Sequence, residues 1–144
     1  MRMIRVPFLD GKAQAGRASI PDDADFHIMR IRWMPAPLSD RPFDRYMAIY
    51  VDGDSLLDAR IHPGDWVMFR MQDFAEDGQL VVVAHGHGVC VKYWHPIDDE
   101  TVELRSANPR FKPQTWGIEQ LRIRGVVVMA GQDFEKEGDR EDEA

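Results

Sequence analysis

Residues Val51–Val67 read VDGDSLLDARIHPGDWV. Gly53-Asp54-Ser55 sets a small hydroxyl residue just after a glycine, at the end of an alternating apolar run. A turn-like piece follows, and Pro63-Gly64-Asp65 opens a second apolar run. Lys92 stands 37 residues beyond Ser55, inside Val89-Cys90-Val91-Lys92-Tyr93-Trp94. A charged lysine in an apolar strand is costly. A neutral one facing a serine hydroxyl can act as a general base. Taken singly, Ser55 is a turn serine and Lys92 an edge lysine in solvent. Taken together they read as a serine–lysine dyad.

Outward from this stretch the chain reads as short strands. Tyr46–Val51 alternates, with Met47, Ile49 and Val51 on one face and Tyr46, Ala48 and Tyr50 on the other. Ile28–Trp33, Trp66–Met71, Thr101–Arg105 and Leu121–Met129 are further strands, and Gly125 marks a bulge or close packing in the last. Gln79–Ala84 and Val89–Trp94 flank His85-Gly86-His87-Gly88 and read as a hairpin. No long helical period, repeat or second core is visible. The expected class is mainly β, a small folded sheet or partial barrel with few helical turns.

Three regions are expected: an arm over 1–26, a folded body over 27–131 and an acidic tail over 132–144. Pro7, Gly11, Gly16 and Pro21-Asp22-Asp23 suggest a loop-like arm rather than a packed element. The net charge is −7, and the tail from Gln132 carries seven acidic and two basic residues, a net of −5. The body is therefore near −2 (−7 less −5), with no basic stripe for phosphates. Direct nucleic-acid binding and a helix-turn-helix are not expected. The tail is expected to be solvated and disordered. The sequence shows no membrane span and no signal peptide. The single cysteine, Cys90, excludes an internal disulfide and suits a cytoplasmic setting.

In these residues the chain resembles the self-cleaving peptidase family of the SOS repressor LexA and the mutagenesis protein UmuD. Gly53-Asp54-Ser55-Leu56 resembles the family's G-x-S-M, Gly64-Asp65-Trp66-Val67 its G-D-x-V, and Val91-Lys92-Tyr93-Trp94 its lysine strand. Asn108-Pro109-Arg110-Phe111-Lys112-Pro113 resembles its N-x-x-[FY]-x-P turn, and Ile123-Arg124-Gly125-Val126-Val127 its closing strand. The resemblance spans about residues 46–129 and implies the LexA C-terminal-like (β-clip, signal-peptidase-like) fold. Gln14-Ala15-Gly16 resembles the family's cleavage site, with Gly16 placed 39 residues before Ser55. The layout is closest to UmuD.

The resemblance implies that Ser55 attacks the Ala15 carbonyl of the Ala15–Gly16 bond. Lys92 takes the serine proton and later protonates the leaving amine, and the backbone N–H groups of Asp54 and Ser55 form the oxyanion site. Val89, Val91 and Leu80–Val83 are expected to bury Lys92. Two departures stand out. Leu56 replaces the usual methionine, a nearly volume-conserving change. Cys90, on the face of Lys92, replaces a frequent threonine and is a weaker partner for the amine, so cleavage is expected to be slow. His85 and His87 are too few for a structural zinc site, and His62 and His95 show no carboxylate partner. Arg30 and Arg32 read as a polar strand face, and the four tryptophans as core or dimer-surface residues.

The expected function is thus a cytoplasmic, cofactor-free, homodimeric, UmuD-like serine endopeptidase that cuts its own arm at Ala15–Gly16. The resemblance further implies stimulation by a RecA–single-stranded DNA filament and service to an error-prone DNA polymerase in the SOS response. The rival expectation is a non-cleaving dimerisation module that acts as antirepressor or decoy of a LexA-like repressor. A signal-peptidase-like enzyme is a third, disfavoured by the lack of a membrane anchor.

Overall fold

The β-rich patterns close into a single sheet. The computed structural model describes residues 1–14, 28–53, 56–86 and 88–134. Nine strands follow in chain order: β1 Met3–Gln14, β2 Ile28–Pro35, β3 Tyr46–Asp52, β4 Trp66–Met71, β5 Leu80–His85, β6 Gly88–Pro96, β7 Thr101–Arg105, β8 Gln114–Gly117 and β9 Leu121–Gly131. Two single-turn 3-10 helices, Leu57–Ala59 and Ile118–Gln120, complete the described elements. The sheet order is β2-β1-β3-β4-β9-β5-β6-β7-β8, and β1 also touches β6. The mainly β expectation holds. Among the described residues no helix is long and apolar enough to cross a membrane.

Both faces of β3 are buried, as its alternation requires. Ile49 and Val51 enter one core cluster with Leu9, Leu56, Val67, Phe69, Val89 and Val91. Tyr46 and Ala48 enter another with Val6, Phe8, Trp66 and Met68. A third lies between β5, β6, β7 and β9, built on Val81, Val83, Trp94, Val102, Leu104 and Val126. The Gln79–Trp94 hairpin forms with Ala84 opposite Val89 and His85 opposite Gly88, and Gly86 takes the positive φ of its tight turn.

Gly125 meets both readings made for it. The ladder of β9 shifts register on each side of it, against β4 and against β5. A Cβ there would lie 2.3 Å from the Arg70 carbonyl oxygen and 2.5 Å from Phe69. Only glycine lets β4 and β9 approach so closely.

One expectation is corrected. Residues 3–14 are a strand inside the sheet, not an unpacked arm. β1 runs antiparallel to β2 from Met3↔Pro35 to Leu9↔Ile28, and parallel to β3. Val6, Phe8 and Leu9 are fully buried. The residues responsible are the alternating apolar Ile4, Val6 and Phe8, whose pattern Pro7 and Asp10-Gly11 obscure in the sequence. β8 is a second unforeseen strand, four residues long at one sheet edge.

Candidate active site

Lys92 sits in the middle of β6 and is only 2% exposed. Val81 of β5 faces it across the ladder, itself fully buried. Burial pushes the Lys92 amine below its ordinary value, because a charged ammonium loses its hydration there. Burial also pushes the neighbouring Cys90 thiol up to about 11, so that neighbour is a neutral thiol at physiological pH.

The polar partner of the lysine is a hydroxyl that the sequence reading missed. Lys92 Nζ donates to Ser106 Oγ at 2.5 Å. Ser106 follows β7, whose register against β6 pairs Tyr93 with Arg105 and Trp94 with Leu104. One step further along the same antiparallel hairpin sets Ser106 opposite Lys92, so counting back from the turn would have found it. Cys90, expected as a weaker partner for the amine, stays its electrostatic neighbour, and the hydrogen bond goes to Ser106. The Phe111 ring centroid lies 5.8 Å from the amine. Asn108 holds the turn between these two residues. Its side chain accepts from the Arg110 N–H at 3.0 Å, and its carbonyl from the Phe111 N–H at 3.1 Å.

The loop that carries the serine is anchored on both sides. Before it, Gly53 takes φ +86°, a region that suits glycine, and its N–H bonds to the Asp52 carboxylate at 3.0 Å. After it, Leu56 is fully buried in the cluster that holds Val89 and Val91 of β6, with Ala107 packed against it. The Asp58 N–H donates to the Ala107 carbonyl at 2.6 Å, which ties this loop to the turn bearing Ser106 and Phe111. Asp54 and Ser55 themselves lie outside the described residues, as do Ala15 and Gly16. The chain does reach the neighbourhood just before Ala15. Gln14 pairs with Asp52 of β3 and, in parallel, with Cys90 of β6, two residues before Lys92.

The remaining sequence candidates fall elsewhere. His95 Nδ1 lies 2.9 Å from Asp77, and His62 Nδ1 lies 3.7 Å from Asp65. Both histidines thus have carboxylate partners that the sequence did not reveal. His85 packs on Trp116 at 4.8 Å, and His87 is outside the described residues. Among the described residues no three His, Cys, Asp or Glu side chains gather as a metal site. Arg30 and Arg32 lie over the Phe8 ring, with Asp133 as their carboxylate.

The buried lysine, its hydroxyl partner and the N-terminal residue that touches the lysine strand all lie within a stretch that matches a known family. The family model Peptidase S24-like matches residues 7–128. The chain belongs to the Peptidase S24-like family. Its sheet is accordingly the LexA C-terminal-like fold. This S24-like chain is 32% identical over 127 residues to the LexA repressor of Novosphingobium aromaticivorans, which covers 88% of this chain and 51% of that protein. It is 34% identical over 126 residues to the LexA repressor of Moorella thermoacetica, covering 88% and 57%. Over 82 residues it is 43% identical to the LexA repressor of Oleidesulfovibrio alaskensis, covering 56% and 39%. The S24-like chain thus spans about half the length of the curated relatives it matches. The S24 family includes self-cleaving serine peptidases.

Proposed function

We propose that this protein is a self-cleaving serine endopeptidase with Ser55 as nucleophile and Lys92 as general base, acting on its own Ala15–Gly16 bond. The observation that carries the reading is the pairing of Gln14 with Cys90. It brings the residue before Ala15 onto the strand of a buried lysine.

The chemistry follows from the state of the amine. Neutral Lys92 takes the Ser55 proton as the oxygen attacks the Ala15 carbonyl. Backbone N–H groups at Asp54 and Ser55 receive the oxyanion. The resulting ammonium returns its proton to the Gly16 amine, which leaves, and Ala15 is held as an ester on Ser55. Water then attacks the ester, again with Lys92 as base, and frees Ser55. Ser106 holds the amine in place through these steps.

The family's LexA repressor relatives support a place in the SOS response. Within it we place a UmuD-like role, with a RecA filament as stimulus and an error-prone polymerase as client, and a homodimer as the working form. The test is intact-mass spectrometry at neutral and alkaline pH, with and without a RecA filament, on wild type, Ser55→Ala and Lys92→Ala. Cleavage between Ala15 and Gly16 that speeds up with pH and vanishes in both variants is expected. Cleavage that persists in either variant, or none under any condition, refutes the dyad. The second result points to a non-cleaving module that pairs with a LexA-like repressor.

A further inference from the structure

The candidate bond follows β1 and precedes β2, and this position changes what a cut can accomplish. β1 is an interior strand, with β2 on one side and β3 on the other. Its Val6 and Phe8 are fully buried in one core cluster and its Leu9 in another. Phe8 is stacked from one side by Arg32, 4.7 Å from the ring centre, and meets the Trp66 ring edge-on at 5.9 Å. Further toward the terminus, Arg2 pairs with Asp40, and its carbonyl accepts the Ala36 N–H at 2.9 Å. Among the described residues β2 has no ladder partner except β1. The piece after the cut therefore owns an edge strand that only the piece before the cut can hold in the sheet.

We propose that cleavage in the 15–27 connection nicks this protein without trimming it. The segment up to Gln14 stays bound as β1. The slot between β2 and β3 is a peptide-binding groove for an extended strand with apolar residues at the positions of Val6, Phe8 and Leu9. Its occupant is this chain's own N-terminal segment, turned by the cut from a covalent part of the fold into a docked and exchangeable peptide. Main-chain bonds on both edges supply affinity, and the buried positions supply sequence preference. The setting rests on the self-cleavage reading, but the physics does not, since any cut between β1 and β2 has the same consequence.

The experiment therefore supplies its own cut. Ser55→Ala protein receives the recognition sequence of a sequence-specific protease in place of residues 19–25 and is digested to completion. Native mass spectrometry and size exclusion at about 10 µM follow. The expected result is one species of uncut mass plus one water, eluting with the uncut chain. A labelled synthetic peptide of residues 1–15 then exchanges into it. Val6→Ala loosens the docked piece about tenfold, and Phe8→Ala about 100-fold or more. Elution of the N-terminal piece as a free peptide overturns the proposal, whether the body stays folded or precipitates. Undiminished retention in both variants overturns the groove assignment. None of these outcomes depends on Ser55, so failure of the dyad reading is scored separately.

Discussion

Phe8→Ala tests whether residues 3–14 are core or arm. Phe8 is fully buried, and truncating such a residue to alanine costs about 3–5 kcal/mol through lost transfer energy and the cavity left behind. The ring also faces two guanidinium groups, at 4.7 Å for Arg32 and 5.5 Å for Arg30. Each such contact adds about 0.5 kcal/mol at a partly exposed site. A total of about 4–6 kcal/mol, at about 2–4 °C per kcal/mol for a chain of this size, lowers Tm by about 8–24 °C. The assay is thermal unfolding followed by circular dichroism, with Phe74→Ala as control. Phe74 is 63% exposed, so its loss is expected to shift Tm by no more than about 1–2 °C. Equal shifts in the two variants would refute the placement of β1 inside the sheet.

Ser106→Ala removes the oxygen that accepts from Lys92. The loss of about 1 kcal/mol is expected to slow self-cleavage about fivefold, while Ser106→Thr, which keeps the hydroxyl, restores most of the rate; equal rates in all three proteins would sink the positioning role. The depressed Lys92 pKa also has a sign in stability. The unfolded chain binds the proton more tightly than the folded one, so stability rises with pH between the folded value and the ordinary 10.5. Below that window Lys92 is protonated in both states, and the cost of burying its ammonium is present in full. Lys92→Met, which carries no such cost, is therefore expected to exceed wild type in denaturant stability most at neutral pH and least near pH 10. A gap independent of pH would contradict the assigned direction.

Legibility in the sequence followed the range of the interactions. Tyr46–Asp52, Trp66–Met71 and Thr101–Arg105 announced themselves because alternation is a property of neighbouring residues. The hairpin around Gly86 was equally local. β1 was hidden because Pro7 and Asp10-Gly11 interrupt its alternation and because its second partner, β3, lies some 40 residues away. Four-residue β8 is too short to carry a period. The lysine was visible as a misfit charge in an apolar run. Its hydroxyl partner was visible only through register, 14 residues along the chain. The His95–Asp77 pair, 18 residues apart, left no local mark at all.

The position of β9 between β4 and β5 governs when this protein is finished. The ladder partners of its two neighbours leave the ribosome tens of residues before β9 does. Until residues 121–131 emerge, the two halves of the sheet meet, among the described residues, only where Gln14 of β1 pairs with Cys90 of β6. Val126 has yet to arrive beside Val81, the residue that faces Lys92. Such long-range closure is slow and comes late in synthesis. A nascent chain therefore carries its candidate scissile bond and its serine without the sheet that buries the lysine. On the proposed self-cleavage reading, this order of synthesis delays cutting until the fold is complete.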